Sequence, residues 1–69
     1  MQLSTAELKS VATLIGRARL FVEDALSVAE SGGDVGVTAR VKTLLFRARD
    51  VEQDIEARLA AAEKAERQS

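Results

Sequence analysis

Apolar residues recur along this 69-residue chain at the three- and four-residue intervals that are typical of an amphipathic helix. Just before the first such stretch, Ser4 and Glu7 have the spacing of a capping box, and Leu3 and Leu8 have the spacing of a hydrophobic staple. These signals agree on one register, so a first helix is expected over about residues 5–31.

The glycine-rich segment 32–36 separates this helix from a second one. Gly33 can take the left-handed conformation that ends a helix, and Asp34 is the best N-cap candidate for the next. The second helix is expected over about residues 37–66, followed by a frayed polar tail. Because a short turn forces two long helices to run antiparallel, residues 1–69 are predicted to form one all-α helical hairpin.

The apolar surface of the first helix is wider than one partner helix can cover. Its predicted seam consists of Leu8, Val11, Ile15, Ala18, Val22, Ala25 and Ala29. The predicted stripe of the second helix consists of Val37, Val41, Leu44, Ala48, Val51, Ile55, Leu59 and Ala62. Further apolar residues flank the first seam, so two hairpins are expected to form a homodimeric four-helix bundle; a monomer with exposed apolar surface is the alternative. The expected dimer interface comprises Leu14, Ile15, Phe21, Val22, Leu26, Val41, Leu44, Leu45, Val51 and Ile55.

A five-residue sequence of the first helix returns almost reversed in the second. Residues 17–21 read Arg-Ala-Arg-Leu-Phe, and residues 45–49 read Leu-Phe-Arg-Ala-Arg. A mirror centre at Gly33 places Ala18 against Ala48 in the seam and brings Leu20 level with Phe46 on the outside. Large apolar side chains among arginines are typical of an interface hot spot. The expected partner-binding residues are Arg17, Arg19, Leu20, Phe46, Arg47 and Arg49.

Two other interpretations of the mirrored sequence remain open. Leu20 and Phe46 could be covered by the second subunit of the dimer. Alternatively, the mirrored sequence is a chance product of a composition rich in Arg, Ala and Leu. The arginines would then form ordinary helix ion pairs, such as Arg19 with Glu23 four residues later.

The composition excludes several kinds of chemistry. The chain has no Cys and no His, so it can form neither a disulfide nor a Cys/His zinc site, and it lacks the usual general base. The glycine segment lacks the lysine of a phosphate-binding loop. No enzyme, cofactor, metal or small-molecule substrate is therefore expected.

The net charge of -1 and the scarcity of aromatic residues argue against a dedicated nucleic-acid binder. An acidic band at Asp50, Glu52, Asp54 and Glu56 could engage a basic protein surface, or could simply keep the protein soluble. The chain has neither a long apolar run nor a basic, apolar N-terminal start. A soluble, cytoplasmic protein without membrane contact is therefore expected.

In length and helical layout the chain resembles the small phage-encoded quorum-sensing anti-activators of Pseudomonas phages. The resemblance extends from the capped start Ser-Thr-Ala-Glu at 4–7, through the turn Gly-Gly-Asp at 32–34, to the tail Glu-Lys-Ala-Glu at 63–66. It implies a dimeric inhibitor in the host bacterial cytoplasm. Such an inhibitor docks on the DNA-binding domain of a quorum-sensing transcription factor and blocks promoter binding. It also implies the pilus-assembly ATPase as a second target, but it carries over no binding residue by position.

Two alternatives come from other functional classes. The first is a small coiled-coil structural or assembly adaptor, or a chaperone, without an inhibitory role. The second is a nucleic-acid-associated helical protein that uses Arg17, Arg19, Arg47 and Arg49 on phosphates.

Overall fold

A computed structural model describes residues 2–68 as two long helices joined by a short turn. Helix α1 spans Thr5–Gly32 and helix α2 spans Val35–Gln68. No strand occurs among the described residues, so the predicted all-α hairpin is confirmed. The two helices pack along their length, and the hairpin measures 54 × 19 × 14 Å.

The start of α1 is held by the predicted capping box. The Glu7 backbone N–H donates to the Ser4 hydroxyl at 3.1 Å, and the Ser4 N–H donates to the Glu7 carboxylate at 2.9 Å. The hydrogen bond that the Ser4 backbone N–H donates to the Glu7 carboxylate is the larger cause of a lowered pKa of Glu7, and a hydrogen bond with the Ser4 side chain is the smaller one. The carboxylate therefore favours its charged form in the folded protein.

The turn is shorter than the sequence predicted. Gly33 adopts the left-handed conformation with a φ of 71°, and its N–H donates to the Glu30 carbonyl at 3.1 Å. Asp34 then caps α2 directly, because its carboxylate accepts from the Val37 N–H at 3.0 Å. As a result α2 begins at Val35, two residues earlier than expected, and takes in Gly36.

The polar tail differs from the expected frayed segment. Helix α2 continues to Gln68, and the Thr5 hydroxyl at the start of α1 donates to the Glu66 carboxylate. This contact joins the two free ends of the hairpin. Ser69, the last residue of the predicted tail, lies outside the described residues.

The residues between the helices recur every three or four positions, as in a coiled coil. On α1 they are Leu8, Ala12, Ile15, Arg19, Val22, Leu26 and Ala29. On α2 they are Thr38, Val41, Leu45, Ala48, Glu52, Ile55, Leu59 and Ala62.

This seam corrects part of the predicted one. Ala18, Ala25, Val37, Leu44 and Val51 are exposed, so Ala18 does not meet Ala48 between the helices. Apolar periodicity alone did not place a charged residue in the seam. In the structure Arg19 and Glu52 lie in the seam, because the ion pair between them compensates both charges.

A single hairpin buries little of its apolar surface. Among the described residues only Leu8 and Leu45 are buried, at 9% and 6% exposure. The chain exposes 5380 Å², whereas a compact monomer of 7.4 kDa exposes about 4200 Å². The excess of about 1200 Å² is comparable to one subunit's share of a stable protein interface.

Candidate interaction surfaces

A cluster of four charged side chains crosses the seam at mid-hairpin. The Arg19 guanidinium donates through Nε to Glu52 Oε1 at 2.8 Å and through Nη1 to Glu23 Oε1 at 2.6 Å. Arg49 Nη2 lies 3.5 Å from the same Glu23 oxygen. The hydrogen bond to Glu23, followed by that to Glu52, raises the pKa of Arg19. This mixed-charge cluster joins α1 to α2 through polar contacts of fixed geometry.

Gly16 makes room for this cluster. A Cβ atom added at Gly16 would lie 3.2 Å from Glu52 Oε2, closer than most such contacts in proteins. Glycine in a helix interior costs about 0.5–1 kcal/mol relative to alanine. Glycine at position 16 therefore lowers the helix propensity of α1 but leaves space for the Glu52 carboxylate.

The sequence held a signal for this cluster that apolar periodicity overlooked. Arg19 is seven residues from both Ala12 and Leu26, and Glu52 is seven residues from both Leu45 and Leu59. Each charge thus interrupts a seven-residue series of seam positions, and the two charges are opposite. Polar residues at single seam positions are known to specify register.

The two sides of the seam differ in chemistry. Consider the residues that directly precede an inner residue. In an antiparallel helix pair these residues of both helices lie on the same side of the seam, because equivalent heptad positions face each other. The Arg49–Glu23 ion pair joins residues that directly follow inner positions, and it marks the opposite side. The hairpin therefore has two distinct faces along its length.

We call the first side the apolar face. Its apolar members are Val11, Leu14, Ala18, Phe21, Ala25 and Val28 on α1 and Val37, Leu44 and Val51 on α2; Arg40, Arg47 and Asp54 lie on the same side along the outer border of α2. Its large members are mostly exposed, and Phe21 reaches 73% exposure. From Leu14 to Val28 the face extends about 21 Å along the helix. A continuous apolar surface of this length is unusual on a monomer.

The predicted dimer-interface residues divide between two places. Leu14, Phe21, Leu44 and Val51 are exposed on the apolar face and remain free to contact a second copy. Ile15, Val22, Leu26, Val41, Leu45 and Ile55 lie in the seam of the hairpin itself. Leu45 is already covered by α1, so its place in the predicted dimer interface is corrected to the core of the hairpin.

Leu20 and Phe46 lie on the other side of the hairpin, which we call the polar face. Each directly follows an inner residue, Arg19 or Leu45, and each is exposed, at 52% and 74%. They share this face with the Arg49–Glu23 ion pair. A second copy seated flat on the apolar face would therefore leave both side chains uncovered.

The four arginines expected beside Leu20 and Phe46 do not form one group. Arg19 is drawn into the seam by two glutamates, and Arg49 bridges to Glu23. Arg47 lies two residues beyond Leu45 on α2, at the outer edge of the apolar face. Two of the four arginines are thus engaged by carboxylates, which also weakens the alternative that all four grip phosphates.

The predicted acidic band does not form one surface. Glu52 lies in the seam, and Asp54 accepts from Arg58 at 3.0 Å. Asp50 is four residues before Asp54 and Glu56 is four residues after Glu52, so the four carboxylates divide into two pairs that point in different directions.

Within residues 2–68, no cluster of acidic, His or Cys side chains is arranged to hold a metal ion. Neither helix contains, over the same residues, a stretch apolar enough to cross a bilayer.

No protein-family model, curated protein or solved structure matches this chain.

Proposed function

We propose that this chain acts without catalysis, as a helical hairpin that pairs with a second copy and inhibits another protein by covering its surface. The observation that carries the proposal is the exposed apolar face, in a hairpin with almost no core of its own. Large apolar surfaces are costly to expose, and they mark sites of protein association.

The two faces divide the work in this proposal. The apolar face joins two copies into a four-helix bundle. The polar face of each copy, with Leu20 and Phe46, then points outward and serves as the contact for the partner. An exposed phenylalanine beside charged groups has the composition of an interface hot spot.

The resemblance to phage anti-activators supplies the first partner to test. That partner is the DNA-binding domain of an autoinducer-responsive transcription factor, whose promoter binding the hairpin would block. The pilus-assembly ATPase is the second. Both partners are inferred from the resemblance in length and helical layout. Binding of the hairpin to each purified partner should therefore be measured directly.

Phe21 and Phe46 provide a matched pair of variants. The two side chains are almost equally exposed, at 73% and 74%, but lie on opposite faces. We expect Phe21→Asp to be monomeric by light scattering, because it places a charge in the middle of the apolar face. Phe46→Asp should remain dimeric but lose its binding to the partner domain.

Two outcomes would contradict the proposal. If both variants dimerise like the wild type, the apolar face is not the contact between copies. If wild-type protein leaves promoter binding by the transcription factor unchanged and binds neither purified partner, the inhibitory function assigned from the resemblance is wrong.

A further inference from the structure

The charges along the edges of the apolar face carry information about how a second copy would lie on it. Arg17 and Asp24 border the face on the outer side of α1, and Arg40, Arg47 and Asp54 border it on the outer side of α2. Within residues 2–68, neither Asp24 nor any of these three arginines forms an ion pair. These four charges are therefore free to meet opposite charges on another molecule.

We propose that a second copy of this chain covers the apolar face with its turn at the same end, so that α1 of each copy packs on α2 of the other. This inference rests on the proposed self-association and adds its geometry. The other simple two-fold arrangement turns the second copy over, so that α1 packs on α1 and α2 packs on α2. Both arrangements cover the apolar face, and the edge charges distinguish between them.

In the same-end arrangement Asp24 of each copy lies between two arginines of the other copy. Measured from the turn at 1.5 Å per residue, Arg40 lies at about 9 Å, Asp24 at about 14 Å and Arg47 at about 20 Å. Asp24 of one copy thus falls between Arg40 and Arg47 of the other. Arg17, at about 24 Å, has one neighbour of each sign in the second copy, Arg47 at about 20 Å and Asp54 at about 30 Å, so the attraction in this arrangement comes mainly from Asp24.

In the turned-over arrangement the α1 edge gains attraction between opposite charges, and the α2 edge gains repulsion between like charges. The centre of the apolar face lies near Phe21 and Leu44, so a two-fold axis there brings Arg17 opposite Asp24 of the second copy. The same axis gathers Arg40 and Arg47 of both copies at one place on the α2 edge. Four arginines with no carboxylate between them repel one another, and this cost falls on an interface that is otherwise apolar.

The position of the tails tests the arrangement, and the absence of Cys from the chain makes site-specific labelling direct. Spin labels on Lys64→Cys should lie within about 30 Å of each other in the same-end dimer, since only the width of the bundle separates them. In the turned-over dimer the same labels lie about 60 Å apart, at 1.5 Å per residue on either side of the axis. Labels on Thr43→Cys lie near the axis and should give a short distance in either dimer, which makes them the control.

The outcomes separate the arrangement from the self-association on which it rests. A Lys64 distance near 60 Å together with a short Thr43 distance overturns the same-end arrangement and leaves the dimer in place. A monomeric mass, with no distance between labels at either position, overturns the proposed self-association itself. A short distance at both positions supports the proposal.

Charge reversal provides an independent readout. Asp24→Arg should weaken the dimer several-fold, because it turns an attraction to two arginines into a repulsion. Adding Arg40→Asp should restore most of the loss in the same-end dimer. If adding Arg17→Asp restores the dimer instead, the copies are turned over and the proposal fails.

Discussion

Leu44 and Leu45 are adjacent and chemically identical, but the hairpin places them in opposite environments. Leu45 is 6% exposed between the helices, whereas Leu44 is 52% exposed on the apolar face. Replacing Leu45 with alanine removes buried methyl groups from the seam and should cost about 2–3 kcal/mol of unfolding free energy at any protein concentration. Replacing Leu44 should cost under about 0.5 kcal/mol in an isolated hairpin.

The cost of Leu44→Ala should rise once two copies associate. Covering the remaining half of a leucine side chain contributes about 1 kcal/mol, and each dimer contains two such side chains. The total of about 2 kcal/mol corresponds to a dissociation constant roughly 30-fold weaker than that of the wild type. The effect of Leu44→Ala on stability is therefore expected to depend on concentration, and that of Leu45→Ala is not.

Urea unfolding followed by far-UV circular dichroism at low and high micromolar concentration measures both effects. The wild-type midpoint should rise with concentration, because association stabilises the folded state. Leu44→Ala should match the wild type in dilute solution and fall behind it in concentrated solution, and Leu45→Ala should be lower throughout. If Leu44→Ala follows the wild-type curve at every concentration, Leu44 is not covered by a second copy and the reasoning is wrong.

Three further predictions concern the seam and the start of α1. Gly16→Ala should raise the unfolding free energy by about 1 kcal/mol in a Glu52→Ala background but by less in the wild type, where the new methyl group crowds the Glu52 carboxylate. Gly36→Ala, where the new methyl group has no tight neighbour, is the control. Equal gains at Gly16 in both backgrounds, measured by urea titration, would refute the crowding. Ser4→Ala should lower the unfolding free energy by about 1 kcal/mol, measured in the same way, and an unchanged value would mean that the cap contributes nothing. Because the pKa of Glu7 is lowered, the stabilisation of the folded protein by its carboxylate is present above the ordinary pKa of 4.5 and is lost as the pH falls through the lower folded value. In thermal melts below pH 4.5, Glu7→Gln should therefore lose less stability on acidification than the wild type. If the two proteins lose stability in parallel, the carboxylate does not contribute through the cap.

Local signals in the sequence were enough to predict the hairpin. The capping box at Ser4 and Glu7, the left-handed Gly33 and the N-cap Asp34 all depend on contacts within a few residues, and the structure contains each of them. The start of α2 was expected two residues too late because Gly36, a poor helix former, lies in its first turn. The Asp34 cap is enough to include it in the helix.

The faces of the helices were harder to predict, because they depend on contacts between distant residues. Apolar periodicity placed Ala18 and Leu44 in the seam, but the structure places Arg19 and Leu45 there. Arg19 can lie between the helices only because Glu52, thirty-three residues away, is positioned to pair with it. The exposure of Leu20 and Phe46 agrees with the predicted outward faces, whereas two of the four arginines expected beside them pair with glutamates of the hairpin itself.

Sedimentation equilibrium of the unmodified chain over a range of concentrations tests most directly whether the apolar face joins two copies. We expect a reversible monomer–dimer equilibrium with a limiting mass of twice 7.4 kDa, and a helical content that rises with the dimer fraction. A fully helical, stably folded monomer that persists to high micromolar concentration would contradict the account, because the exposed apolar face would then have no second copy to cover it.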